Sequence, residues 1–326
     1  MNSKQPIFIL FYILLFAILT PLLLGFLNFL HPLFDSFSHF RVHLLWMVLP
    51  LIFILILLHK SFYRLVHLAI FILFAVYLYV ISQAFSPTTS STEKAKTLKH
   101  MQFNLNFKNQ KMTKFIEYIK NNPMDIITLQ EVTVEHQELL EKEKIDGFAM
   151  ELSRDFPFLG QRKGDYPYQA YCSFRAVGSV AVLSKHPFES KPVCVDGFIW
   201  AKVLVDEKPI SVISTHLYWP YPHHQPNQVT KLLPILEGIP SPLIISGDFN
   251  AASWSHTVKE MAKASNTNIV DGLRWSIDLK SQLPLLPFMK LAIDHLLISK
   301  EFEVKSIKVE EGLGSDHLPV ISEIGY

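Results

Sequence analysis

Cysteine is almost missing from this chain: 326 residues contain two, Cys172 and Cys194, and neither has metal-ligand spacing. That excludes a zinc ribbon or thiolate cluster. Two buried free thiols or one disulfide between neighbouring strands remain open, because separation in sequence does not set geometry. A surplus of positive charge is also lacking. Residues 98–326 carry 24 Lys and Arg against 27 Asp and Glu, a net of −3 with His neutral. A protein that wraps long duplex DNA shows an electropositive face, so this balance speaks against such a partner. No internal repeat is visible, and no small-x-small cleavage pattern follows the first apolar run, which is too long for a secretory signal.

Long apolar runs are present, and all lie at the front. Residues 7–30, 43–58 and 65–83 are almost free of charge, and each approaches or exceeds the ~20 residues that span a hydrocarbon core. They predict a membrane anchor over 1–86 with three transmembrane helices, in contact with the lipid bilayer through residues 7–83. Few polar residues interrupt the spans, so they read as an anchor and not a transport path. Lys4, Lys60 and Arg64 flank one side, whereas the first loop carries Arg41 partly offset by Asp35. The positive-inside rule then places everything after the third span outside the cytoplasm.

Residues 87–97 are polar and rich in Ser and Thr, and read as a linker. The 229 residues of 98–326 suffice for one domain with its own core. Short apolar runs alternate there with helical patterns such as "NQKMTKFIEYIKNN", where Met112, Phe115, Ile116 and Ile119 share a face. Helices embedded among many strands with short turns predict a mixed α/β domain.

Polar residues recur at the strand ends. Asn104 and Asn106 close the first, Gln130 and Glu131 the second, His216 the "VISTH" strand, and Asp248 and Asn250 the "LIISG" strand. Asp294 and His295 interrupt "LAIDHLLIS", and Ser315, Asp316 and His317 precede the last strand. A single such carboxylate is usually a turn or cap. Six such places in order point to a site where strand ends converge.

The ordered set "FNLN", "LQEV", "STHL", "GDFN", "IDHLLIS" and "GSDHLPV" resembles the endonuclease/exonuclease/phosphatase superfamily, which includes DNase I-like nucleases, inositol polyphosphate 5-phosphatases and neutral sphingomyelinases. The stretches "GSVAVLSKHP" and "HLYWPYPHHQ" are similar to those of bacterial membrane-anchored members. The resemblance covers residues 98–326. It implies a four-layer α/β/β/α sandwich and hydrolysis of a phosphate ester, most simply a phosphodiester, assisted by Mg2+ with Mn2+ as substitute. Oxygen donors of carboxylate and carboxamide type are what such a hard cation prefers.

By the same resemblance Glu131, Asp316 and Asn106 are the metal ligands, Asn106 standing where other members have Asp. Asp248 activates the attacking water, with Asn250 and Asn104 fixing it and a phosphate oxygen. His317 stabilises developing charge, Asp294 holds its imidazole, and His216 is a second phosphate contact. His295 is read as structural, since it points to the face opposite Asp294. Trp219 and Tyr221 are candidates for shaping the substrate pocket. The expected partners are a phosphate-ester substrate, borne by a lipid, a small molecule or a nucleic acid, and the bilayer; no protein partner is implied. The resemblance further implies a bacterial inner-membrane location with the domain on the periplasmic side. An extracytoplasmic nuclease is the alternative activity, and a catalytically inactive binding module of the same fold is the alternative class.

Overall fold

A strand with one face on a helix and the other on a second sheet buries both faces, and the first soluble strand shows this in sequence. In "TLKHMQFN", Met101 and Phe103 alternate with Leu98, His100, Gln102 and Asn104, and all of them are buried. The computed structural model describes residues 5–59, 61–83, 96–142, 165–174, 178–278 and 289–326. Residues 87–95 of the expected linker lie outside these.

Four helices come first: α1 (Gln5–Phe26), α2 (Pro32–Ser38), α3 (Arg41–Leu58) and α4 (Ser61–Ser82). Three segments within them, Pro6–Phe26, Arg41–Leu58 and Phe62–Ser82, are each long and apolar enough to cross a membrane. The first run stops at Phe26, short of the expected residue 30. The chain turns there, and α2 starts with Pro32 in its first turn and the His31 ring accepting from Leu33 N.

The rest is built on two six-stranded sheets. One runs in the order β13 (Glu303–Val309), β14 (Val320–Gly325), β1 (Thr97–Asn104), β2 (Ile126–Val132), β4 (Ser179–Ser184), β3 (Tyr168–Ser173). The other runs β5 (Val193–Val195), β6 (Phe198–Val205), β7 (Lys208–His216), β8 (Leu243–Asp248), β12 (Asp294–Ile298), β9 (Asn268–Ile269). A small ribbon pairs β10 (Ile277–Asp278) with β11 (Lys290–Leu291). Each sheet is mixed: β1 and β2 are parallel, as are β7 and β8, and the other pairs are antiparallel.

The sheets pack face to face over a core that includes Leu98, Ile126, Val182, Val212, Ile244 and Leu296. On the outer face of the first sheet, α5 (Met112–Asn121) and α6 (Val134–Lys142) set Phe115, Ile116 and Leu140 against Met101, Phe103 and Leu129. On the outer face of the second, α7 (Gln225–Glu237) and α8 (His256–Ala264) set Leu232, Leu236, Val258 and Met261 against Leu243 and Ile245. This is the expected α/β/β/α sandwich. Strand β3 went unnoticed in the sequence because Tyr, Gln and Ser dilute its apolar pattern.

Cys172 and Cys194 form a disulfide, with their Cα atoms 5.6 Å apart. The sequence left free thiols and a disulfide between neighbouring strands open; the disulfide forms, between strands of different sheets. β3 and β5 are edge strands of opposite sheets, so the bond clamps the two layers together along one edge.

Candidate active site

The inward rows of five strands change from apolar to polar as they run to one edge of the sandwich. On β1 the row reads Leu98, His100, Gln102, Asn104; on β8, Ile244, Ser246, Asp248; on β7, Ile210, Val212, Ser214, His216. β12 runs the other way, so its first residue, Asp294, reaches the same edge. Register brings them level, with His216 beside Asp248 and Asp294 opposite it. The polar rows bond to one another across the sheets: Thr128 Oγ1 to Ser246 Oγ at 2.7 Å, and Gln130 Nε2 to Ser214 Oγ at 2.9 Å. Buried polar groups need such partners, and the network fixes the sheets' relative position.

Gly247 explains part of "GDFN". Its φ is +154°, and a Cβ there would collide with the Thr215 carbonyl, so glycine allows β8 to lie against β7 just before Asp248. Three site residues hold left-handed backbone: Asn106 (φ 57°), Glu131 (φ 55°) and Asn250 (φ 48°). Asn tolerates this conformation, but for Glu it carries strain of the kind found where geometry serves a site.

Asp248 is almost fully buried. Its Oδ1 accepts from Asn250 N at 2.8 Å and its Oδ2 from Asn104 Nδ2 at 3.0 Å, while His216 Nε2 and His317 Nε2 stand 3.6 and 3.7 Å from Oδ2. Burial, with Asp294 nearby, raises its pKa against the pull of His317. His317 Nδ1 lies 2.8 Å from Asp294 Oδ2. Burial disfavours the imidazolium, but Asp294 and Asp248 outweigh it and hold His317 protonated well above the usual range. Asp294 stays ionised despite its burial because His317, Ser276 and Gln102 all stabilise the carboxylate. His216 is the opposite case: burial and the charge on His317 push it down to about 3, so it is neutral.

A second group lies beside this chain. The Glu131 carboxylate accepts from Asn104 Nδ2 at 3.1 Å and from Phe107 N at 2.9 Å, and Asn106 Nδ2 donates to Asp316 Oδ1 at 2.6 Å. Glu131, Asp316 and Asn106 line one cleft of about 430 Å³ together with His216, Trp219, Asp248, Asn250 and His317. Two carboxylates and a carboxamide on a common wall fit a hard divalent cation. Asp248, Asp294 and His317 also bring ligand atoms within 4.8 Å of one another. In that trio, however, the imidazole Nδ1 is already committed to Asp294.

Of the residues singled out in sequence, Asn104, Asn106, Glu131, His216, Asp248, Asn250, Asp294, Asp316 and His317 converge within this region. Asn250 Nδ2 donates to the Leu217 carbonyl at 2.8 Å, so its amide nitrogen braces the loop after β7. His295 turns to the outer face, its Nε2 2.7 Å from the Ala251 carbonyl and its ring against Phe249. Trp219 lines the cleft, but Tyr221 does not. It lines a separate cavity of about 260 Å³ between α2 and α7, because two residues further on the loop has turned toward the N-terminal helices. Sequence reasoning passed over Gln102, which donates to Asp294 Oδ1 at 2.7 Å. Its place two residues before Asn104 on an alternating strand was the available signal.

The model of the Endonuclease/Exonuclease/phosphatase family matches residues 101–317. The chain belongs to that family. Its match takes in every residue of the convergent site. A comparison with curated proteins found no match. Among solved structures, the chain is similar to an endonuclease/exonuclease/phosphatase from Beutenbergia cavernae (16% identity, 71% of this chain and 72% of that one, TM-score 0.53). It is also similar to one from Bacteroides vulgatus (14% identity, 70% and 98%, TM-score 0.53) and to a humanized D. rerio TDP2 (15% identity, 71% and 99%, TM-score 0.52). At these identities the likeness is one of fold.

Proposed function

We propose that this family member is a membrane-anchored, Mg2+-dependent phosphodiesterase whose catalytic domain, residues 98–326, stands outside the cytoplasm. The supporting observation is the Asp248, His317, Asp294 chain beside the oxygen donors Glu131, Asp316 and Asn106. A divalent cation on those donors would offset the negative charge that repels a nucleophile from a phosphodiester. Mn2+ would serve in its place.

The chain's own residues take the remaining roles. Asp248, with its raised pKa, accepts a proton from the attacking water and orients it, assisted by Asn104. His317 presents a charged Nε2 toward a non-bridging oxygen, and Asp294 keeps the ring in that orientation. Neutral His216 faces the same position from β7 as a hydrogen-bond partner. An inactive binding module would lack one of these groups, and all are present.

The three spans support this location. The loop between α1 and α3 contacts the domain, for instance through Trp254 Nε1 and the Ser38 carbonyl at 2.7 Å, so both lie on one side. Arg64 lies at the other end of the helices, in the first turn of α4, and the positive-inside rule assigns that end to the cytoplasm. In a bacterium this is the periplasmic face of the inner membrane.

The test is hydrolysis of bis(p-nitrophenyl) phosphate and p-nitrophenyl phosphate by the full chain in detergent, with Mg2+, with chelator, and with Asp248→Ala. Diester cleavage lost in the chelator and in the variant is the expected result. Equal activity in Asp248→Ala would overturn the reading.

A further inference from the structure

The catalytic cleft is fastened to the N-terminal helices on three sides. Beyond Asn250, the chain reaches Ala252 and Trp254: Ala252 N donates to His39 Nδ1 (3.2 Å), the Trp254 indole to the Ser38 carbonyl (2.7 Å), and Asn28 Nδ2 to the Trp254 carbonyl (3.1 Å). Beyond Trp219, Tyr221 accepts from Ser36 Oγ through its carbonyl (2.9 Å) and sets its ring edge-on to His31. Before Ile277, Trp275 packs edge-on against His43 of α3. Asn250, Trp219 and Ile277 all line the cleft, and each is joined to these contacts by four residues or fewer.

The attachment is built and not incidental. Asp35 of α2 is buried, and its two carboxylate oxygens accept from His256 N at 2.8 Å and Thr257 N at 3.1 Å. These are orphan donors in the first turn of α8, where a negative charge is favoured. Trp254, Leu273 and Trp275 join the apolar cluster that holds α1, α3 and α4 together.

Exposed aromatics stand in the cleft and on the loop beside it. Past residue 95, six large apolar side chains are exposed among the described residues, and three are Phe107 (40%), Trp219 (46%) and Tyr221 (42%). Phe107 and Trp219 line the cleft, and among the described residues Lys108 is its one lining Lys or Arg. Exposed aromatics beside apolar spans are the side chains that settle at a bilayer interface. A groove for a nucleic-acid strand would present a run of cations along its length.

We infer that the cleft takes its substrate from the bilayer surface, and that the substrate is the phosphodiester headgroup of a membrane lipid. This rests on the phosphodiesterase reading above and on α1, α3 and α4 crossing the membrane. Water's oxygen bonds to phosphorus, one P–O ester bond breaks, and the leaving oxygen takes a proton, giving a phosphomonoester and an alcohol. The anchor loop holds the cleft at the depth where that headgroup lies.

The full chain is assayed with Mg2+ against vesicles of phosphatidylethanolamine and phosphatidylglycerol, against a single-stranded DNA oligonucleotide, and against bis(p-nitrophenyl) phosphate. Vesicle lipid is expected to be cleaved in preference to the oligonucleotide. Asp35→Ala, or the closer Asp35→Asn if the first does not fold, should lower vesicle turnover by about tenfold or more, the scale of a lost orientation. Turnover of the soluble diester should be unchanged. A readout free of turnover is quenching by brominated lipids, which should be weaker in a Trp219→Phe chain than in the wild type. Cleavage of the soluble diester and oligonucleotide with untouched vesicle lipid would overturn the inference and leave the phosphodiesterase reading standing. No cleavage of any of the three would overturn both. Equal loss on vesicle and soluble diester in the Asp35 variants would overturn the role of the anchor loop.

Discussion

Asp294 stands directly opposite Asp248 on the antiparallel pair of β12 and β8, and His317 reaches both carboxylates, one through each ring nitrogen. Two buried carboxylates side by side cannot both ionise unless a cation joins them. Here the cation is the imidazolium. Asp294 takes it at 2.8 Å with further bonds from Gln102 and Ser276, which leaves Asp248, at 3.7 Å, as the carboxylate free to exchange a proton.

Asp248→Asn removes the group proposed as the base while keeping the shape and an oxygen for Asn104 Nδ2. Turnover should fall by about 10²–10⁴-fold, the usual worth of a positioned acid or base, with the thermal midpoint little changed. Steady-state kinetics and circular dichroism on the same preparation check both halves.

Asp294→Asn acts through His317. Without that carboxylate the imidazolium loses its stronger partner, so its pKa falls. The alkaline limb of the pH–rate profile should move to lower pH. A profile that only drops in height would mean that Asp294 serves the fold and not the ring.

Burial raises the pKa of Glu131, against the pull of the hydrogen bonds from Phe107 N and Asn104 Nδ2. If Glu131 binds a cation, Mg2+ should raise the thermal midpoint of the wild-type chain, because a ligand that binds only the folded state stabilises it. In Glu131→Gln that rise should shrink, and the Mg2+ concentration for half-maximal activity should increase.

His100, between the sheets, is pushed down to about 3 by burial. Its folded pKa lies below its unfolded value, so the unfolded chain binds the extra proton between about 3 and the ordinary 6.5. Stability from this group is complete above that window and is lost as pH falls through it, amounting to about 2 kcal/mol at pH 5. Thermal unfolding of His100→Gln should show a shallower decline from pH 7 to pH 5 than the wild type.

Reduction should loosen the clamp between the sheets. A loop of this size, with a separation of 22 residues between Cys172 and Cys194, corresponds to about 3 kcal/mol of constraint on the unfolded chain. Dithiothreitol should lower the unfolding midpoint of the wild type and leave Cys194→Ser unaffected.

The strands that carry the site were legible because their alternation and their polar ends are local properties. "KHMQFNLN" and "LIISGDFN" display both the buried faces and the residue at which an apolar row turns polar. The apolar spans were legible for the same reason, as composition over ~20 residues is enough. Pairings between distant segments were not. Nothing in "AFSPTTSSTEKAKT" or its neighbours shows that Asp35 caps α8 across 221 positions, that Cys172 and Cys194 lie on different sheets, or that Tyr221 turns away from Trp219 toward α2. Sequence by itself determined which residues could do the chemistry and which segments lie in apolar surroundings, since side-chain type and period decide those. Only the tertiary structure decided which carboxylate keeps the imidazolium and how the cleft is fastened to the N-terminal helices, because both depend on distances between residues far apart in the chain.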